Sequence, residues 1–235
     1  MKAIVLMPTY KEAETLEKTV SELLVAARDI DLLIIDDNSP DGTGAIADRL
    51  ASSNPRITVL HRPKKLGLGD AYIDGFKKSL AKDYTHLIEM DADGSHRAED
   101  LIKLLRAAPV MDLVIGSRWI AGGEVANWSR LRQLISMGGN RYASWVLGSR
   151  VRDVTSGFRI YSAQLLNKLP LAKMKSHGYA FQVEMTHQSE LLDAKILEVP
   201  IRFVERVGGV SKMSLWIVVE AFVLCTLWGL RRPRR

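Results

Sequence analysis

Cysteine is nearly missing from this chain: Cys225 is the single thiol among 235 residues, which excludes an internal disulfide and any metal site of several thiolates. Its neighbours are apolar, so a buried structural thiol is expected rather than a nucleophile. The two common glycine-rich phosphate loops are absent as well. No G-x-G-x-x-G follows the first apolar run and no G-x-x-x-x-G-K-[ST] occurs anywhere. This disfavours a dehydrogenase and leaves phosphate to be neutralised by other means. Residues 1–7 are too short an apolar stretch for a signal peptide, and Pro8 ends it; the expectation is a first strand and a cytosolic catalytic domain. Acidic residues are scarce in one band. Between Arg118 and Arg159 stand seven arginines against only Glu124 and Asp153, a surplus that either attracts phosphates, nucleic acid or an acidic membrane surface or is simply a solvated face, a choice composition does not make.

What is present is ordinary for a globular protein: 47% apolar and 26% charged residues, with net charge +6. The length suits one α/β domain. Short apolar runs at 3–7, 31–36, 57–60, 86–90 and 112–116 read as buried strands. Between them apolar residues recur at helical spacing, as at Leu16, Val20, Leu23, Leu24 and Ala27. The alternation predicts a mostly parallel sheet with helices on both faces, which binds ligands at the carboxyl ends of its strands. The second half is less regular. It reads as a loop over 118–130, a helix over 131–147 interrupted at Gly138-Gly139, and strands over 155–161 and 196–204.

The unusual residues follow the apolar runs. Pro8-Thr9-Tyr10-Lys11-Glu12 comes after the first and Asp36-Asp37-Asn38-Ser39-Pro40-Asp41-Gly42-Thr43 after the second. A strand-end carboxylate can accept hydrogen bonds from a ribose or base edge, although an Asx-Pro-Asp-Gly turn also accounts for acidic residues here. After the fourth strand comes Glu89-Met90-Asp91-Ala92-Asp93-Gly94-Ser95-His96. Asp91 and Asp93, two apart, share a side of an extended segment. Such a pair can hold one hard divalent cation, Mg²⁺ or Mn²⁺, which typically takes one or two carboxylates plus substrate phosphates. His96 is a candidate third ligand, with a structural role equally open.

These motifs together resemble the family 2 glycosyltransferases of GT-A fold, and more narrowly the polyprenol-phosphate (dolichol-phosphate) mannosyltransferases. The similarity runs on through Gly116-Ser117-Arg118, Trp128-Ser129-Arg130-Leu131-Arg132, Thr155-Ser156-Gly157-Phe158-Arg159, Gly178-Tyr179-Ala180-Phe181-Gln182 and Arg206-Val207-Gly208-Gly209-Val210-Ser211-Lys212, covering residues 2–212 in order. The resemblance implies transfer of mannose from GDP-mannose to a polyprenyl monophosphate. It implies that Pro8, Tyr10, Glu12, Ile35 and Asp37 hold the guanosine, that Asp91 and Asp93 bind the metal, and that Ala92 lines the nucleotide site. Ser95 stands where some relatives have a glutamine ligand, and Gly94 where many have leucine. Arg118 and Arg132 would face the acceptor phosphate, while Arg206 and Lys212 would reach the donor diphosphate from a mobile loop whose glycines suit a lid. Arg159 and Asp153 could form a structural ion pair, and Phe158, Tyr179 and Phe181 are read as packing.

Residues 1–212 are thus expected to be a GT-A (Rossmann-like) catalytic domain. Residues 213–235 would be a C-terminal apolar helix with a basic tail. Residues 215–230 are almost all apolar but contain Glu220. As a helix they reach ~24 Å, short of the ~30 Å hydrocarbon core, so they are not expected to span. An interfacial helix beside the lipid acceptor, a helix docking on an integral membrane protein and a helix packed on its own domain all stay open. The expected location is peripheral, at the cytoplasmic face of a membrane. Two other readings remain: a family 2 transferase using another donor such as UDP-glucose, and a non-catalytic nucleotide- or nucleic-acid-binding module. The intact acidic pair with Arg118, Arg206 and Lys212 argues against the last, so no nucleic-acid partner is expected.

Overall fold

The structure is a computed structural model describing residues 1–174, 176, 178–205 and 215–230, with the backbone alone for residue 179 and residues 215–221. The first half alternates as its pattern dictates. β1 (Ala3–Thr9), α1 (Leu16–Ala26), β2 (Asp31–Asp36), α2 (Thr43–Ser53), β3 (Ile57–His61), α3 (Leu68–Leu80), β4 (His86–Glu89), α4 (Ala98–Ala107) and β5 (Leu113–Ser117) follow in turn. Successive strand residues point to opposite faces, so β1, β2 and β5 are apolar through their centres because both faces are covered, whereas the edge strand β3 is mostly half-buried. Ala3, Val5, Met7, Leu32 and Ile34 pack beneath α1, α2 and α4. Ile4, Leu6, Leu33 and Ile35 pack on the other face, with Tyr72, Phe76 and Phe181.

The second half adds β6 (Glu124–Ala126), α5 (Arg130–Leu147), β7 (Arg159–Ser162), α6 (Ala163–Lys168), α7 (Gly178–Leu191), β8 (Ile196–Pro200), β9 (Arg202–Val204) and α8 (Leu215–Leu230). The main sheet has the order β3-β2-β1-β4-β7-β5-β8. It is parallel except for β7, which is antiparallel to β4 and β5. That register sets Glu89 directly opposite Arg159. β6 and β9 pair as a small second sheet.

Four readings of the second half change, the first being that the strand expected over 155–161 begins only at Arg159, as β7. The 131–147 helix is not interrupted: α5 runs continuously through Gly138 and Gly139. A glycine there costs only about 1 kcal/mol relative to alanine, and the helix ends at Gly148, whose φ is 58°. The expected loop over 118–130 contains β6, and the strand expected over 196–204 is divided between two sheets. α7 had no amphipathic signal because it is buried nearly all round, with Ala180, Phe181, Gln182, Val183, Met185, Thr186 and Ser189 all buried.

α8 lies against α5 and α7. Tyr142 stacks on Phe222 at 4.2 Å and its hydroxyl meets Thr226 Oγ1 at 2.7 Å. Gly229 lies so close to Val146 that a side chain there would collide with it. Cys225 is buried, and burial pushes its thiol up to about 11. Among the described residues no helix is long and apolar enough to cross a membrane.

Candidate functional site

A cleft of about 340 Å³ opens at the carboxyl ends of the central strands. Of the residues singled out from sequence, it gathers Pro8, Tyr10, Glu12, Asp37, Asp91, Ala92, Asp93, Ser95, Arg118 and Arg132. Ile35 is not among them: its side chain is fully buried in the core beside Leu6 and α3. An inward-facing position on a central strand gives it no route to the cleft except through its backbone. Arg206, Lys212 and the loop 207–211 lie outside the described residues, as does the basic tail 231–235.

At one end, the loops after β1 and β2 are laced together. Thr9 Oγ1 donates to Asp36 Oδ1 at 3.2 Å, Lys11 N to Ser39 Oγ at 3.2 Å and Glu12 N to Thr43 Oγ1 at 3.0 Å. Thr43 is fixed in turn by Asp41, 2.6 Å away. Asp36, Ser39, Asp41 and Thr43 therefore build the loops, and Asp37 faces the cleft. Burial raises the Asp37 carboxyl, opposed by the buried Arg62 guanidinium that hydrogen-bonds to it. Arg62 had no motif to announce it. Lys65, 4.0 Å over the Tyr10 ring, and Gly67 and Leu68 also line this end. Their signal was available in Lys64-Lys65-Leu66-Gly67-Leu68-Gly69, a basic, glycine-rich run opening α3, whose N-terminus favours anions.

The carboxylate pair follows β4 on a tight turn. Ser95 N donates to Asp93 Oδ1 at 3.0 Å, and Thr19 Oγ1 donates to Ala92 O at 3.1 Å. Gly94 has φ 77°, a conformation in which leucine would be strained. His96 is a clamp rather than a ligand: its Nδ1 accepts from Asp91 N at 3.0 Å. The ring stacks on Phe158 at 4.6 Å, and burial pushes its pKa down to about 4. A neutral ring whose Nδ1 accepts carries its proton on Nε2, which leaves no lone pair for a metal. Among the described residues no group of three or more His, Cys, Asp and Glu could hold a metal. Two carboxylates with a diphosphate are still enough for Mg²⁺ or Mn²⁺. The buried Ser95 Oγ has no hydrogen-bond partner among the described residues. That orphan beside Asp93 fits a further oxygen ligand.

At the other end stand the arginines. Arg118 is held by Asp153, with Nε to Oδ2 at 2.8 Å and Nη2 to Oδ1 at 2.6 Å. Asp153 thus pairs with Arg118 and not with Arg159. Arg159 is fully buried and donates to the carbonyls of Val154, Ser156 and Gln182. Arg132 lies over the Trp128 ring at 4.0 Å and pairs with Glu205. Behind the carboxylates, Glu89 is fully buried and accepts from Gln182 Nε2 at 2.8 Å. Burial pushes its carboxyl up to about 8, against the pull of Arg159 and Gln182.

Comparison with known proteins bears on this arrangement. Residues 4–170 match the family described as Glycosyl transferase family 2. An undecaprenyl-phosphate mannosyltransferase of Micrococcus luteus is 48% identical over 230 residues, covering 98% of this chain and 95% of the relative. A polyprenol monophosphomannose synthase of Mycolicibacterium smegmatis is 44% identical, covering 98% and 88%. Among solved structures, glucosyl-3-phosphoglycerate synthase from Mycobacterium tuberculosis, in complex with Mn²⁺, UDP-glucose and phosphoglyceric acid, superposes with a TM-score of 0.69. It is 18% identical and covers 99% of this chain and 81% of that one. The likeness extends the match to the GT-A architecture.

Proposed function

Because this chain belongs to glycosyl transferase family 2 and is a glycosyltransferase, we propose that it moves mannose from GDP-mannose to a polyprenyl monophosphate. The observation that carries the reading is the Asp91/Asp93 pair in a cleft running from Tyr10 and Asp37 to Arg118 and Arg132. Two relatives of 44–48% identity bear the names of polyprenyl-phosphate mannosyl transfer.

In this reading the Tyr10–Asp37 end takes the guanosine, with Pro8, Glu12 and Ala92 in its walls and Arg206 and Lys212 reaching the diphosphate. Asp91 and Asp93, with Ser95 Oγ, would hold a divalent cation, whose charge would offset that of the departing diphosphate. No general base is needed, because a phosphate monoester is already an anion near neutrality, its second ionisation lying near ~6. A phosphate oxygen attacks the anomeric carbon, the bond to the diphosphate breaks, and the configuration inverts. The protein's part is to position the acceptor and hold its charge. Arg118, clamped by Asp153, is a fixed cation. Arg132 can exchange its Glu205 partner for the incoming phosphate.

The enzyme would work peripherally at the cytoplasmic face of a membrane. On α5, Leu131, Leu134, Ile135 and Trp145 are exposed at helical spacing, and Phe222, Val223 and Leu227 of α8 are exposed nearby. An apolar stripe normally faces a core; an outward one suits a bilayer surface. Arg130, Arg141, Arg150 and Arg152 are exposed on or beside α5, matching anionic headgroups. Because α5 begins at Arg130 and carries Arg132 into the cleft, the lipid tail would lie along the same helix.

The test is radiolabelled transfer from GDP-mannose to a short polyprenyl phosphate, with and without a chelator. A metal-dependent, β-linked mannosyl phosphate is expected. An α-linked product would refute the single displacement, and turnover only with UDP-glucose would refute the donor.

A further inference from the structure

We propose that the side-chain carbonyl oxygen of Gln182 accepts a hydrogen bond from a hydroxyl of the transferred sugar. Gln182 would then be a specificity-determining residue of the donor site. The inference rests on the reading of the cleft as a sugar-nucleotide site and deepens it.

Gln182 stands one turn into α7, is only 2% exposed, and lines the cleft. Its Nε2 is committed to Glu89 Oε2 at 2.8 Å. That bond turns the amide nitrogen toward β4. The other end, Oε1, is buried and has no hydrogen-bond partner among the described residues. A buried carbonyl left without a partner costs about 1–3 kcal/mol, a cost that a donor group of the ligand would relieve.

Topology says which part of the ligand arrives there. The nucleoside end lies at β1 and β2, and the carboxylate pair follows β4, their neighbour in the sheet. The next strand outward is β7, preceded by the cleft-lining Thr155 and Gly157. A sugar extending from the diphosphate away from the nucleoside falls over this wall, where Gln182 Nε2 lies 3.9 Å from the position a side chain on Gly157 would take. Bare Gly157 keeps that space open. A sugar hydroxyl supplies the missing proton donor.

The backbone that carries this side chain is also held in place. Arg159 Nη1 donates to the Gln182 backbone carbonyl at 3.0 Å, and Thr186 Oγ1 donates to the same oxygen at 2.9 Å. Arg159 is itself fixed by Val154 and Ser156 carbonyls. Glu89, acting through the amide, is a positioning residue, and a fixed acceptor discriminates hydroxyls better than a mobile one.

The experiment compares GDP-mannose with its 2-, 3-, 4- and 6-deoxy analogues on the full chain, wild type and Gln182→Leu, with Mn²⁺ present. For the wild type, one deoxy donor is expected to lose about 10–100-fold in kcat/KM relative to GDP-mannose. The Gln182→Leu variant should show a similar loss with GDP-mannose and almost none with that one analogue. GDP, which lacks the sugar, should bind the variant within about twofold of wild type, which also reports that the variant is folded. An equal loss with every donor, or weakened GDP binding, would assign Gln182 a structural role and overturn the inference. So would a wild type indifferent to all four deletions, a result needing no variant. A wild type that transfers nothing from GDP-mannose would instead overturn the underlying reading of the cleft.

Discussion

At the Tyr10 end of the cleft, polar side chains come from neighbouring loops that hydrogen-bond to one another, as Glu12 does to Thr43, 31 residues on. At the Arg118 end, cations meet carboxylates from farther along the chain: Arg118 meets Asp153, 35 residues on, and Arg132 meets Glu205, 73 residues on. The two pairs also differ from each other. The Arg118–Asp153 side chains are 6% and 0% exposed, and those of Arg132–Glu205 are 29% and 40% exposed. A buried pair is too costly to open, because each partner would be left uncompensated. A half-exposed pair is worth little and can trade one anion for another. Fixed charge and exchangeable charge are therefore assigned to different arginines, although the sequence presents them as equivalents.

Substitutions along the cleft break this comparison in graded steps. Asp93→Ala, with folding intact, should lower transfer by about 10³-fold, and near-normal turnover in the presence of a chelator would remove the proposed metal. Asp153→Ala should cost about 3–5 kcal/mol of stability in urea unfolding, because it strands a buried guanidinium. Arg132→Ala should leave stability within about 1 kcal/mol of wild type and raise the KM for lipid phosphate by about 10–30-fold, the loss of a charged hydrogen bond. If instead the Arg132 variant unfolded early and the Asp153 variant did not, the assignment of fixed and exchangeable pairs would be reversed. Trp145→Ser should weaken sedimentation with anionic phosphatidylglycerol vesicles by about tenfold, given roughly 1.5–3 kcal/mol for burying a large apolar side chain. Unchanged vesicle binding would count against the outward stripe of α5. The smallest effect is expected from Glu205→Gln, which frees Arg132 and should lower the acceptor KM by about two- to threefold.

Much of the cleft's lining was legible because strand-end motifs are local. Pro8, Tyr10, Glu12, Asp37, Asp91 and Asp93 each lie within a few residues of an apolar run, and a parallel sheet brings those ends together whatever the details. Ile35 shows the limit of that reasoning. It belongs to the same run as Asp36, yet the period-2 alternation turns its side chain into the core. His96 shows another limit: whether an imidazole binds a metal or a backbone amide depends on which nitrogen meets Asp91 N, and no spacing rule encodes that.

The chain by itself determined which segments of the first half are strands, because residues buried on both faces are apolar, and it determined where acidic and basic groups cluster. Only the tertiary structure decided how those groups are partnered. Asp153 took Arg118 rather than Arg159 because β7 runs antiparallel beside β4, burying Arg159 opposite Glu89 and among backbone carbonyls. Likewise Gln182 became a cleft residue because a helix buried nearly all round was seated against the end of β4. Burial fixes periodicity and is therefore written locally, whereas the choice of partner is a property of distant segments meeting, and it exists only once the sheet has closed its order.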